Sequence, residues 1–142
     1  MTTVAWDGET LAADTFVTAD FALDGAHVKV AKRGPVLAAA AGTTSICQRF
    51  LDWFRAGMVG DAPDMGDGED DALGYVFHAG RVLVFDRAGS SARFAERFAA
   101  GSGERYALGA MASGKSAAEA VAIAARFCRG TGGEITVLRQ EA

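Results

Sequence analysis

The chain has 142 residues, a formal net charge of −4 and 50% hydrophobic residues, which fits one domain with an ordinary apolar core and disfavours nucleic-acid binding through a basic surface. No apolar run reaches the roughly 18 residues of a membrane-spanning helix, so no membrane partner is expected, and the first residues do not form a signal peptide. Cys47 and Cys128 fit neither a disulfide framework nor a zinc site, so we expect a cytoplasmic protein.

The first residues predict a β-hairpin. Thr3–Trp6 and Thr10–Asp14 have strand composition, and they flank Asp7-Gly8, a strong two-residue turn signal. The chain should therefore begin with two antiparallel strands.

A second hairpin is predicted further along. Ala26–Val30 alternates with period two, which places Lys29 on one face of a strand and Val28 and Val30 on the other. Val36–Ala41 is an apolar run of strand length and provides the returning strand.

The middle of the chain predicts one helix and one acidic loop. Phe50, Trp53 and Phe54 recur at helical spacing behind a cap at residues 43–45. We expect this aromatic stripe to leave apolar surface uncovered and to favour self-association. Residues 59–71 hold six acidic residues among glycines, and we interpret them as a solvated loop.

The second half predicts a hairpin, two helices and a closing strand. These elements are Leu73–Phe77, Val82–Phe85, Arg105–Met111, a helix beginning at Ser116, and Ile135–Leu138. Ser116 and Glu119 form a capping box at the start of the second helix. Strands and helices in separate runs favour an α+β fold in a single domain of residues 1–142.

One motif match does not fit its structural context. Gly109–Ser116 has the pattern of a nucleotide-binding phosphate loop, which must join a parallel strand to a long helix. Only 26 residues follow Ser116, too few to complete the required sheet. We interpret the segment as a turn between two helices.

Six short segments, taken in order, resemble the proteasome β-subunit family: Thr2–Ala5, Leu11–Asp14, Val28–Val30, Ala38–Gly42, Gly101–Gly103 and Thr131–Gly133. The resemblance covers nearly the whole chain. It is closest to small bacterial and prophage-type members, related to the peptidase subunit of the bacterial ATP-dependent two-component protease. It implies the N-terminal nucleophile hydrolase fold, a four-layer α-β-β-α sandwich of two antiparallel sheets. The second long helix of the family is absent here, because the acidic loop occupies its place.

The resemblance implies a threonine nucleophile. Thr2 would become the N-terminal residue on removal of Met1, which is expected because Thr2 is small. A residue with a hydroxyl and a free α-amine can be nucleophile and base together. Lys29 matches the catalytic lysine of the family, and Asp14 matches the acid that orients it.

The remaining site residues also follow from the resemblance. Ser102 matches a serine that hydrogen-bonds the terminal amine. The backbone N–H of Ala39, where the family usually has glycine, would face the developing oxyanion. A sodium-like ion at the carbonyls of Cys128 and Thr131 is a further expectation, and no other cofactor is required.

Two functions are consistent with the sequence. The first is a threonine peptidase that cleaves peptides or unfolded proteins through a Thr2 acyl-enzyme, assembled as a homo-oligomeric ring with an unidentified ATPase as a further candidate partner. The alternative is a non-catalytic assembly or scaffold protein, such as a phage-associated one, that retains the fold. Lys29, Asp14 and Ser102 favour the enzyme, since a scaffold needs none of them.

Overall fold

A computed structural model describes residues 2–18 and 23–140, which form eleven strands and three helices. The strands are β1 (Thr3–Trp6), β2 (Thr10–Asp14), β3 (Phe16–Thr18), β4 (Leu23–Ala26), β5 (Val30–Arg33), β6 (Val36–Gly42), β7 (Ala72–His78), β8 (Arg81–Asp86), β9 (Gly89–Phe94), β10 (Phe98–Gly101) and β11 (Ile135–Arg139). The helices are α1 (Thr44–Arg55), α2 (Glu104–Ala112) and α3 (Ala117–Phe127).

Two antiparallel sheets stack face to face. The first sheet has the strand order β10-β1-β2-β11, and the second has the order β5-β6-β7-β8-β9. Strands β3 and β4 form a separate two-stranded ribbon. The predicted α+β sandwich of two antiparallel sheets is confirmed.

Three apolar clusters separate four layers. Between the sheets lie large side chains from both, including Trp6, Leu11, Leu37 and Phe77. Helix α1 covers the outer face of the second sheet, and helices α2 and α3 cover the outer face of the first. Each fully buried large side chain stabilises the folded state by about 1.5–3 kcal/mol, so the sandwich depends on all three clusters.

Local signals placed several elements correctly. The capping box is present, because the Ser116 hydroxyl accepts from the Glu119 amide and the Glu119 carboxylate accepts from the Ser116 amide. The phosphate-loop match is the turn between α2 and α3, with Gly114 in the left-handed region at φ 95°. Residues 57–71 form no helix, as expected for the acidic loop.

The predicted strand over Ala26–Val30 is wrong. Strand β4 ends at Ala26, strand β5 begins at Val30, and the three residues between them belong to neither. The predicted alternation of faces also fails, since Lys29 and Val30 are both buried while Val28 is 51% exposed. Period-two alternation could not reveal this, because the Lys29 ammonium is held inside by groups distant in sequence.

The aromatic stripe of α1 does not supply an uncovered surface. Phe50 and Phe54 are completely buried against the second sheet. Trp53 is partly buried and packs against Phe50 and Phe85, with ring centroids 5.9 and 5.6 Å apart. The stripe is core, so it gives no reason for self-association.

Strands β3, β4, β9 and β10 were not predicted. Strand β9 is exposed at every position and has no apolar alternation, and the short β10 was not distinguished from the chain before α2.

Among the described residues, no helix is long and apolar enough to cross a membrane.

A pair of glycine substitutions tests the packing of α1 on the second sheet. A Cβ on Gly74 would lie 2.5 Å from the buried Phe50 ring, so Gly74→Ala should destabilise the fold by about 1–3 kcal/mol. Gly109 lies on the exposed face of α2 with open space around it, so Gly109→Ala should stabilise by up to about 1 kcal/mol. Urea unfolding measures both, and equal effects of the two substitutions would contradict this packing.

Candidate active site

Strand β1 begins, and strands β2 and β10 end, at the same end of the first sheet. In the register of β1 with β10, Thr3 lies opposite Gly101, which brings Thr2 beside Ser102. The pairing of β1 with β2 brings Asp14 beside Thr3 in the same way. Sheet register alone therefore gathers three of the predicted site residues.

The Asp14 carboxylate is fully buried and accepts three hydrogen bonds. Its Oδ1 atom accepts from the Lys29 ammonium at 2.9 Å and from the Thr3 amide at 3.1 Å. Its Oδ2 atom accepts from the Gly132 amide at 3.1 Å. One carboxylate oxygen thus joins the lysine to the peptide bond that follows Thr2.

Lys29 is buried, and Asp14 is one of its hydrogen-bond acceptors. Its ammonium also donates to the Phe16 carbonyl at 2.7 Å, and its side chain is 8% exposed. Burial lowers the pKa of Lys29. The hydrogen bond and the charge of Asp14 raise it, but only in part, so the pKa stays below its usual value. The Cys47 thiol lies close enough to interact with this charge, but burial raises the pKa of Cys47 to about 11 and leaves it a neutral thiol.

Thr2 is fixed through its carbonyl. The Ser102 amide donates to the Thr2 carbonyl oxygen at 2.8 Å, and the Ser102 hydroxyl donates to it at 3.3 Å. Gly101 has φ 92°, and a Cβ there would overlap that oxygen, so glycine is required. Thr2 is 7% exposed. Met1, whose removal was predicted, lies outside the described residues.

The thiol of Cys128 contacts Ser102. The Cys128 thiol donates to the Ser102 hydroxyl oxygen at 3.2 Å. Burial raises the pKa of Cys128, but hydrogen bonds with Ser102, Thr131 and the Gly130 backbone together lower it overall.

The loop of residues 128–134 is hydrogen-bonded to residues beside Thr2 and Asp14. The Thr131 hydroxyl shares a 2.7 Å hydrogen bond with the Thr3 hydroxyl, and the Gly132 carbonyl accepts from the Thr15 amide at 3.3 Å. No role was predicted for Thr3 or Gly132, although the backbone amides of both donate to the Asp14 carboxylate. Thr3 follows the nucleophile position, and Gly132 follows Thr131, so proximity in sequence was the available signal.

Ala39 is placed differently from the other predicted site residues. The Ala40 amide donates to the Lys29 carbonyl at 3.0 Å, so even-numbered residues of β6 direct their amides to the Lys29 side. The Ala39 amide therefore points the other way, toward Tyr75 of β7. That geometry does not suit Ala39 for the expected oxyanion role. By the same alternation, the amide of Gly42, two residues beyond Ala40, points to the edge of β6 that faces β5 and Lys29.

Only glycine fits at position 42. Gly42 has φ 122°, and a Cβ there would lie 2.5 Å from the Asp71 carbonyl oxygen. The adjacent Thr43 amide donates to that same carbonyl at 2.9 Å, which fixes the end of β6 against β7.

The predicted sodium site stays a prediction. The Cys128 carbonyl already accepts from the Thr131 amide at 3.1 Å, which leaves one lone pair for a cation. No group of three His, Cys, Asp or Glu side chains in residues 2–18 and 23–140 could hold a metal ion.

Comparison with known proteins supports the fold. No protein-family model matches the chain, and no curated protein sequence does. Among solved structures, BPH from Thiobacillus denitrificans in complex with epoxomicin matches 99% of both chains with 20% identity and a TM-score of 0.70. Another BPH structure matches with 19% identity and a TM-score of 0.64 over 99% of this chain and 98% of that one.

HslV from Trypanosoma brucei matches over 100% of both chains, with 18% identity and a TM-score of 0.70. At these identities the likeness establishes the fold alone. The proteasome-like, N-terminal nucleophile hydrolase fold implied by the resemblance is therefore confirmed.

Removing one member of the buried Lys29–Asp14 pair should lower the free energy of unfolding. Lys29→Met leaves Asp14 charged and short of a donor, and we expect a loss of about 3–5 kcal/mol in the free energy of unfolding. The double variant Lys29→Met/Asp14→Asn should recover only part of this, because an amide cannot accept from both the Thr3 and Gly132 amides as the carboxylate does. Urea unfolding measures both variants. Equal stability of wild type and Lys29→Met would contradict the buried pair.

Proposed function

We propose that the protein is a threonine hydrolase that cleaves peptide bonds through an acyl-enzyme on Thr2 after removal of Met1. The observation that carries the proposal is the buried Lys29–Asp14 pair, joined through one carboxylate oxygen to the Thr3 amide. A buried ion pair is weak evidence for stability. Its position one peptide bond from a potential N-terminal threonine favours a chemical role.

In the proposed reaction the freed α-amine of Thr2 is the base. It takes the proton of the Thr2 hydroxyl as that oxygen bonds to the substrate carbonyl carbon. An ordinary α-amine has a pKa of about 7.7–8.0 and is mostly protonated at neutral pH. The Lys29 charge disfavours a second cation beside it and so lowers the pKa of the amine.

The tetrahedral intermediate then collapses. The carbon–nitrogen bond of the substrate breaks, the leaving amine takes the proton from the Thr2 α-ammonium, and an ester remains on the Thr2 oxygen. Water, activated by the same amine, hydrolyses this ester and restores the hydroxyl. Ser102 holds the Thr2 backbone in place during both steps through two hydrogen bonds to its carbonyl oxygen.

The Gly42 amide is the proposed oxyanion donor in place of Ala39. It points to the Lys29 side of β6, and a backbone donor needs no reorganisation when negative charge develops on the substrate oxygen. Substrates are peptides or unfolded proteins. The resemblance to the proteasome β-subunit family favours a homo-oligomeric ring as the working form.

Substitution of the nucleophile tests the proposal. Thr2→Ala should abolish hydrolysis of fluorogenic peptides, whereas Thr2→Ser should retain measurable activity because it keeps the hydroxyl. Thr2 is 7% exposed, so Thr2→Ala removes buried groups and is expected to lose some stability. Unfolding curves of the three proteins should show that each is folded under the assay conditions, so that lost activity reports on the hydroxyl. If wild type lacking Met1 were no faster than Thr2→Ala, a scaffold role would replace the enzyme.

The pH dependence tests the role of Lys29. The acid limb of kcat/KM for the wild type should lie below the ordinary α-amine range of about 7.7–8.0, because the Lys29 charge disfavours the ammonium. Lys29→Gln should shift this limb toward higher pH, with lower activity at neutral pH. An unchanged limb in a folded Lys29→Gln variant would assign the pH dependence to another group.

A further inference from the structure

Strand β9 is an open edge of the second sheet. All six of its residues, Gly89–Phe94, are exposed, and among the described residues it pairs only with β8. Edge strands are usually short, charged or covered, because their free backbone groups can pair with another chain. This one carries a single charged residue, Arg93, and the largely exposed Phe94.

The direction of its backbone groups follows from the ladder. The Ala95 amide donates to the Gly80 carbonyl at 3.2 Å, so odd-numbered residues face β8. Ser90, Ala92 and Phe94 therefore direct their N–H and C=O groups away from the sheet. Three residues at alternate positions form a continuous unused hydrogen-bonding edge.

We propose that β9 pairs with β9 of a second copy of this chain, antiparallel, about a two-fold axis at Ala92. In this register Ala92 faces the partner's Ala92, and Ser90 faces the partner's Phe94. Each such pair of outward-facing residues exchanges two backbone hydrogen bonds. A shift by two residues would leave one outward-facing residue of each strand unpaired, so the two-fold at Ala92 uses the edge most fully.

Phe94 provides an anchor for this register. It is 78% exposed, although its ring is large and apolar. Ser90 lies opposite Phe85 on β8, so both share the α1 face of the sheet, as does Phe94 opposite Arg81. Directly opposed residues share a face, which places the partner's Phe94 on that same face beside Ser90.

A cavity lies at that point. It has a volume of about 270 Å³, and its lining includes Pro63, Met65, Phe85 and Ser90. A dry cavity of about 150 Å³ is enough to hold benzene, so an aromatic ring fits. The two-fold axis would place each Phe94 in the cavity of the other copy.

The charges agree with the same arrangement. The Arg81 guanidinium lies 4.9 Å from the Phe94 ring centroid, so it would accompany Phe94 to the partner. The cavity is bordered by Asp64, Asp86 and Arg87, so its charged groups have an acidic excess. One end of β9 is thus basic and aromatic, and the other has a cavity with this acidic excess. An antiparallel second copy brings these unlike ends together at both sites, which is why we assign the edge to this chain itself.

A proline substitution tests the pairing. The Ala92 amide faces outward, so Ala92→Pro removes no hydrogen bond to β8 but blocks the centre of the proposed interface. We expect sedimentation velocity to show dissociation at the β9 contact, with the dissociation constant raised at least about tenfold. Ala92→Thr keeps the amide and should leave association unchanged. A monomeric wild type, or assembly of the same mass in folded Ala92→Pro, would overturn the proposal.

Cross-linking provides a readout that does not rely on a destabilising change. In a Cys128→Ser background, Ala92→Cys should form a covalent dimer with a short thiol cross-linker, because the two residues face each other across the axis. Ala88→Cys is the matched control, since four residues on each strand put the two thiols about 27 Å apart. Equal cross-linking of both variants, or none at Ala92→Cys, would overturn the register.

Discussion

The buried carboxylate of Asp14 is the interaction on which the rest of the site depends. It accepts from Thr3 at the start of β1, from Lys29 before β5, and from Gly132 in the loop before β11. These donors come from three segments far apart in sequence. A buried charge is tolerated only when it is paired and its lone pairs are satisfied, so the three segments must come together as the protein folds.

The two sheets hold this constellation in place. The first sheet supplies Asp14 and the Thr2 backbone from neighbouring strands, and the segment leading into β5 brings Lys29 across from the second. Burial of Lys29 makes its charge effective at short range, since less water screens it. The arrangement therefore fits a site that alters the ionisation of a nearby group better than one that only binds the sheets together.

Sequence reasoning succeeded where the signal was local. The Asp7-Gly8 turn and the Ser116 cap each depend on a few adjacent residues, and both stand where they were expected. Lys29 was assigned to the right partner by resemblance but to the wrong backbone state, because its burial depends on Asp14 and Phe16. The choice between the amides of Ala39 and Gly42 depends on which strand each faces, and that required the register. Strand β9 has no apolar alternation at all, so only its pairing with β8 reveals it.

Intact-mass spectrometry can determine whether Thr2 becomes a free N-terminal nucleophile. The mass of the purified protein would be measured before and after incubation with a peptide epoxyketone, whose two electrophilic carbons can bond to a hydroxyl and an adjacent free amine. We expect a starting mass that lacks Met1 and a gain of one inhibitor per chain, located by fragmentation on Thr2. Retention of Met1, or no adduct on a chain that lacks it, would show that Thr2 is not a free nucleophile.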